Sequence, residues 1–83
     1  MSTETIVIIE DDSAIRSVLN IALKGAGYTI VKEAESGDEG LKLVNELKPS
    51  LILLDLMLPG KDGYELCHEM RAKKDVPIIM VTA

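Results

Sequence analysis

Three short apolar runs, each ending at a residue that can do chemistry, constrain this chain more than anything else in it. Ile6–Ile9 stops at Glu10-Asp11-Asp12, Leu51–Leu54 stops at Asp55, and Ile78–Val81 stops at Thr82. An unbroken apolar run of four or five residues between turn signals reads as a strand buried on both faces. Such strands belong to parallel sheets, whose ligands sit beyond the carboxyl ends of the strands. Carboxylates and a hydroxyl at three such ends would line one acidic pocket.

The segments between the runs support a wound sheet. After the first strand, expected over Thr5–Glu10, Asp12 or Ser13 can cap a helix whose apolar positions Ile15, Val18, Leu19, Ala22, Leu23 and Ala26 follow the helical period. Gly27 is placed to end it in the left-handed conformation. Tyr28–Lys32 reads as a more polar strand, suited to an edge. Ser36 and Glu39 form a capping box for a second helix that buries Leu41, Val44 and Leu47 and ends near Lys48, before Pro49. Leu51–Asp55 is the third strand. Leu58 to Gly63 is a loop rich in turn residues, and a third helix with Leu66, Cys67 and Met70 inward runs to about Lys73. Pro77 introduces the last strand. The order βαβαβαβ with short connections predicts an α/β domain with a parallel sheet and right-handed crossovers.

Composition removes several classes of function. The 83 residues suit a single domain, here spanning 1–83. A net charge of −5 with scattered basic residues argues against nucleic-acid binding by this segment. The single cysteine, Cys67, allows no internal disulfide and fits a reducing compartment. No apolar run approaches the roughly 20 residues that span a bilayer, and Met1–Thr5 is too short and polar for a leader, so the expected location is the cytoplasm. Glu10-Asp11-Asp12-Ser13 stands where a dinucleotide-binding domain carries its glycine loop, and its charge would repel a bare phosphate. His68 is expected on the solvated side of the third helix, with no partner at ligand spacing.

The acidic pocket has a chemistry of its own. Two like charges 4 Å apart repel by about 4 kcal/mol at an effective dielectric of 20, so Glu10, Asp11 and Asp55 together need a cation or must protonate one member. Oxygen ligands suit Mg²⁺, which binds through one or two carboxylates and typically serves a phosphate. An aspartate in such a site can accept a phosphoryl group as an acyl phosphate, and Thr82 could donate a hydrogen bond to it.

These residues resemble the receiver domain of bacterial two-component response regulators, from about Thr5 to Ala83. Glu10-Asp11 is similar to the family's acidic pair, with Arg16 five residues beyond Asp11. Asp55 is similar to its phosphoacceptor, Leu58–Gly63 to the loop after it, and Thr82-Ala83 to the hydroxyl residue and small neighbour after strand four. The resemblance implies a flavodoxin-like (CheY-like) doubly wound sheet of order 2-1-3-4. It also implies Mg²⁺ held by Asp11, Asp55 and the Met57 backbone carbonyl, with Glu10 assisting through a water. A sensor histidine kinase would be the phosphoryl donor. The chain would then be no enzyme beyond its own phosphorylation and dephosphorylation.

A complete receiver has five strands and five helices, so the resemblance implies that the C-terminal third is absent, with its lysine and switch aromatic. The strand-four edge and the sheet face near Ile21 and Leu23 are then expected to be bare, favouring a homodimer or larger assembly. Two further readings stand beside signalling. One is a self-associating receiver fragment that does not signal and keeps a vestigial site. The other is an aspartate-nucleophile phosphatase, disfavoured because Met57 stands where its general acid would be.

Overall fold

A computed structural model of the chain describes residues 2–55, 58, 63–73 and 76–81. Seven elements follow in order: β1 (Ser2–Ile9), α1 (Ser13–Gly25), β2 (Tyr28–Ala34), α2 (Gly37–Leu47), β3 (Leu51–Asp55), α3 (Gly63–Lys73) and β4 (Ile78–Val81). All strand pairs are parallel, and the sheet order is β2-β1-β3-β4. The parallel pairing matches the expectation from the apolar runs, and the strand order matches the one the resemblance implies.

Alternation along the strands divides the core between two sheet faces. Val7, Ile9, Ile52 and Leu54 pack with Ala34, Val44, Leu58, Leu66 and Met70, on the side covered by α2 and α3. Ile6, Ile8 and Leu53 point the other way and are equally buried, on the side where α1 crosses β1 and β2. Helices on both faces make the sheet doubly wound. Leu58 lies outside any helix or strand, as expected, and its side chain joins the core.

Local chemistry sets the element ends. Asp12 caps α1, its Oδ1 accepting from the Ala14 and Ile15 amides at 2.9 and 3.1 Å. Gly27, at φ +104°, turns the chain back into β2 with the left-handed geometry predicted for it. Ser36 Oγ accepts from the Glu39 amide at 3.2 Å to start α2, and Lys48, itself left-handed at φ 50°, ends it.

One expectation needs correction and another is met only in part. Both outer ends of β1 and β2 extend further than the apolar pattern: β1 begins at Ser2 and β2 reaches Ala34. Backbone pairing carries these polar ends, with a register irregularity between Ser2 and Thr5. The apolar stripe of α1 is also only half covered. No α1 residue is fully buried, and Val18 is 65% exposed, because the sheet meets one side of a stripe wide enough for two neighbours. Ile21 at 69% exposure and Ile79 on the β4 edge at 52% add to this bare apolar surface, as expected for Ile21, whereas Leu23 is half-buried.

α2 lies unusually close to β1. A Cβ at Gly40 would overlap Ile9 Cδ1 and sit 2.7 Å from Cγ1 and 3.2 Å from Cγ2. Ile9 is fully buried and has no room to swing away. Overpacking costs about 1–3 kcal/mol, and alanine regains up to about 1 kcal/mol of helix propensity. Gly40→Ala is therefore expected to lose about 2 kcal/mol, read as a lower midpoint in urea with an unchanged slope.

Candidate functional site

The site follows from the order of the strands. The chain leaves β1 for β2 on one side and returns to β3 on the other, so the crevice beyond the carboxyl ends of β1 and β3 is a topological switch point. Ile9 pairs with Leu54 and Asp55 pairs with Val81, which brings the ends of three strands level. Glu10 follows β1 directly, its amide donating to the Ala34 carbonyl at 3.0 Å, and Asp55 is the last residue of β3.

One ligand oxygen from each of Glu10, Asp11 and Asp55 lies within 4.8 Å of the others. Three of the residues picked from the sequence are therefore brought together. Met57 and Thr82 lie outside the described residues. Glu10 and Asp55 are each only 4% exposed, whereas Asp11 faces solvent. The cluster thus has a dry floor and a wet side.

Electrostatics strains this arrangement. The Glu10 carboxyl is raised from an ordinary 4.5 to about 7. Burial is the main cause, and hydrogen bonding to the Asp11 and Asp55 carboxylates, which favours the protonated form, adds to it. The Asp12 amide, donating to Glu10 Oε2 at 3.0 Å, works against the shift. A proton on Glu10 and a cation among the three are alternative ways to offset the same excess charge. Oxygen donors alone, all anionic or able to be so, with one open side for water, suit a hard divalent ion such as Mg²⁺. The residues present fit that ion.

Sequence reasoning noted Arg16 only by its spacing and missed what it holds. Its Nη1 donates to the Glu10 carbonyl at 2.8 Å and to the Asp11 carbonyl at 3.1 Å. Its Nε donates to Glu33 Oε1 at 3.3 Å, and Asn20 Nδ2 donates to Glu33 Oε2 at 2.7 Å. The spacing of Arg16 and Asn20, one helical turn apart, was the available signal; the partner on β2 was not visible without the sheet. His68 is exposed, and Cys67 is a half-buried free thiol, both as expected. Among the described residues, no helix is long and apolar enough to cross a membrane.

The chain matches the family model described as the response regulator receiver domain over residues 6–83. It is 47% identical over 79 residues to the transcriptional regulatory protein AfsQ1 of Streptomyces coelicolor, covering 95% of this chain and 35% of that protein. It is 43% identical over 83 residues to a probable transcriptional regulator of Porphyridium aerugineum, covering 100% and 34%. The chain thus spans about a third of the length of these curated relatives. Among solved structures it resembles a CheY-like receiver domain protein of Methanospirillum hungatei, with a TM-score of 0.91, 33% identity, and coverage of 98% of this chain and 65% of that one. The activated receiver domain of Klebsiella pneumoniae RstA gives 0.86 and 36%, covering 94% and 66%.

Proposed function

The chain belongs to the response regulator receiver family, and we propose that Asp55 accepts a phosphoryl group from a histidine kinase, with Mg²⁺ held by Glu10, Asp11 and Asp55. One observation carries the reading: two strands either side of the switch point deliver three carboxylates into one small cluster, of which Asp55 and Glu10 are buried. The Met57 carbonyl and the Thr82 hydroxyl complete the proposed set, on the resemblance alone.

In the proposed reaction an oxygen of the Asp55 carboxylate attacks the phosphorus of a phosphohistidine. The O–P bond forms as the P–N bond breaks, and the electron pair stays on the imidazole nitrogen, which takes up a proton. When bound, the cation neutralises the phosphoryl oxygens and the acceptor carboxylate. Glu10 and Asp11 supply the charge that holds it, and the exposed side at Asp11 is where a donor can approach. Burial of Asp55 keeps bulk water from the acyl phosphate once formed. The chain acts on itself only, so it is a phosphoacceptor and not an enzyme with turnover on a separate substrate.

A cytoplasmic location belongs to the same reading and suits the lone Cys67. With a net charge of −5, no nucleic acid is assigned to this segment. Self-association through the β4 edge, where Ile79 is exposed, is part of the proposal as an accompaniment to signalling. An assembly module with a vestigial site is the weaker reading, because the acidic cluster is intact and the family match runs through it.

The test is intact-mass analysis after incubation with acetyl phosphate and Mg²⁺, beside Asp55→Asn. One added phosphoryl group, absent from the variant and from a chelated sample, is expected. No addition to a folded sample contradicts the proposal.

A further inference from the structure

The acidic pair is held from behind by a brace that reaches another strand. A peptide unit is planar, so fixing the Glu10 carbonyl fixes the plane that joins Glu10 to Asp11. Fixing the Asp11 carbonyl does the same for the plane that joins Asp11 to Asp12. A single nitrogen, Arg16 Nη1, accounts for both at 2.8 and 3.1 Å. The directions in which residues 10 and 11 project their carboxylates are thereby set by one guanidinium.

That guanidinium is fixed in its turn. Its Nε donates to Glu33 on β2, whose second oxygen is taken by Asn20, and Nη2 lies 3.9 Å from Glu35. The Arg16 side chain is only 14% exposed, so the fork is packed as well as bonded. A lysine at this place would keep the charge and lose the planar fork that bonds carbonyls on one side and a carboxylate on the other.

We propose that Arg16 is a positioning residue for the cation site, orienting the Glu10 and Asp11 carboxylates through their own backbone and anchored to β2 by Glu33. This rests on the cation reading above. Two explanations of Arg16 predict opposite signs. As a mere positive charge beside an acidic cluster, it repels a divalent ion, and its removal strengthens binding. As a positioning residue, its removal weakens binding, as loss of a supporting contact around a metal does, by about 10-fold or more.

The test uses the full chain at pH 8, with Mg²⁺ affinity measured by titration calorimetry and amide exchange measured without the ion. Arg16→Gln is expected to bind Mg²⁺ about 10-fold more weakly. Arg16→Lys, which leaves the charge in place, is also expected to bind more weakly. In the cation-free protein, the Asp12 amide, which donates to Glu10 Oε2, is expected to exchange faster in both variants while the Val44 amide in α2 does not. Unchanged or tighter binding in both variants overturns the inference, and so does unchanged exchange at Asp12. If the wild-type chain takes up no Mg²⁺, the cation reading falls and exchange alone decides whether Arg16 orders the acidic pair.

Discussion

Without a divalent cation, the protein is expected to lose about 3 kcal/mol of folding stability between pH 4.5 and pH 8, and Mg²⁺ is expected to restore it at the upper end. The Glu10 carboxyl titrates at about 7 when folded against an ordinary 4.5. Between those values the folded chain holds a proton that the unfolded chain has released, so stability falls as pH rises. The contribution is complete below pH 4.5 and gone above the folded value. At 1.36 kcal/mol per pH unit the difference is about 3 kcal/mol. A cation competes with the proton for the same carboxylates, so Mg²⁺ at about a hundred times its dissociation constant adds about 2.7 kcal/mol at pH 8 and far less at pH 5. Urea denaturation across the pH series, with and without Mg²⁺, measures both halves. Stability that rises over the window in cation-free buffer would show that Glu10 is not held protonated by its surroundings.

The second large effect is a crossing of melting temperatures. At pH 8 in chelator, Asp55→Asn is expected to melt about 5–10 °C above the wild type; in saturating Mg²⁺ it is expected to melt below it. Asparagine is nearly isosteric and removes one of three charges clustered within 4.8 Å, two of them on carboxyls only 4% exposed. Relief of about 1–2 kcal/mol is modest beside the roughly 4 kcal/mol that one like-charge pair costs at 4 Å and a dielectric of 20. In a domain of this size it shifts melting by several degrees. The same substitution removes an anionic ligand, so the variant gains little from the ion that stabilises the wild type. Calorimetric scans of both proteins in both buffers read the crossing. Parallel curves would mean that Asp55 neither strains the apo fold nor helps to hold a cation. The two predictions concern different residues of one cluster, and their sites are too close for the effects to add.

Much of this architecture is legible from a few residues. The runs Ile6–Ile9 and Leu51–Leu54 mark β1 and β3 because strands buried on both faces must be apolar throughout; Ile78–Val81 marks β4 as a strand, but with Ile79 exposed and the other three residues half-buried it is not covered on both faces as expected. Asp12, Gly27 and Ser36 mark helix ends because each performs a local backbone task that few residue types can. Glu10, Asp11 and Asp55 are readable as a site for the same reason: charge directly after a buried strand is costly unless used.

The remainder depends on contacts between distant segments. The polar start of β1 at Ser2 is held by pairing with Tyr28 and the end of β2 at Ala34 by pairing with Ile9, which hydropathy does not register. The periodicity of α1 identifies an apolar stripe but not how much of it the sheet covers, hence the exposure of Val18 and Ile21. The degree of burial that lifts the Glu10 carboxyl, and the Glu33 anchor of Arg16, both require β2 to be laid beside β1. Spacing along the chain carries neither.

The proposed phosphotransfer requires that Glu10, Asp11 and Asp55 form one cation site at the switch point. Substoichiometric Mn²⁺, added to ¹⁵N-labelled protein at pH 8, tests it most directly, because the ion broadens only the amide signals near where it sits. Selective loss of the Glu10, Asp11 and Asp55 signals is expected, with the acids Glu4 and Glu46, toward the far ends of β1 and α2, unaffected and the loss reversed by excess Mg²⁺. Broadening centred on α2, or spread evenly over the acidic surface, would contradict it.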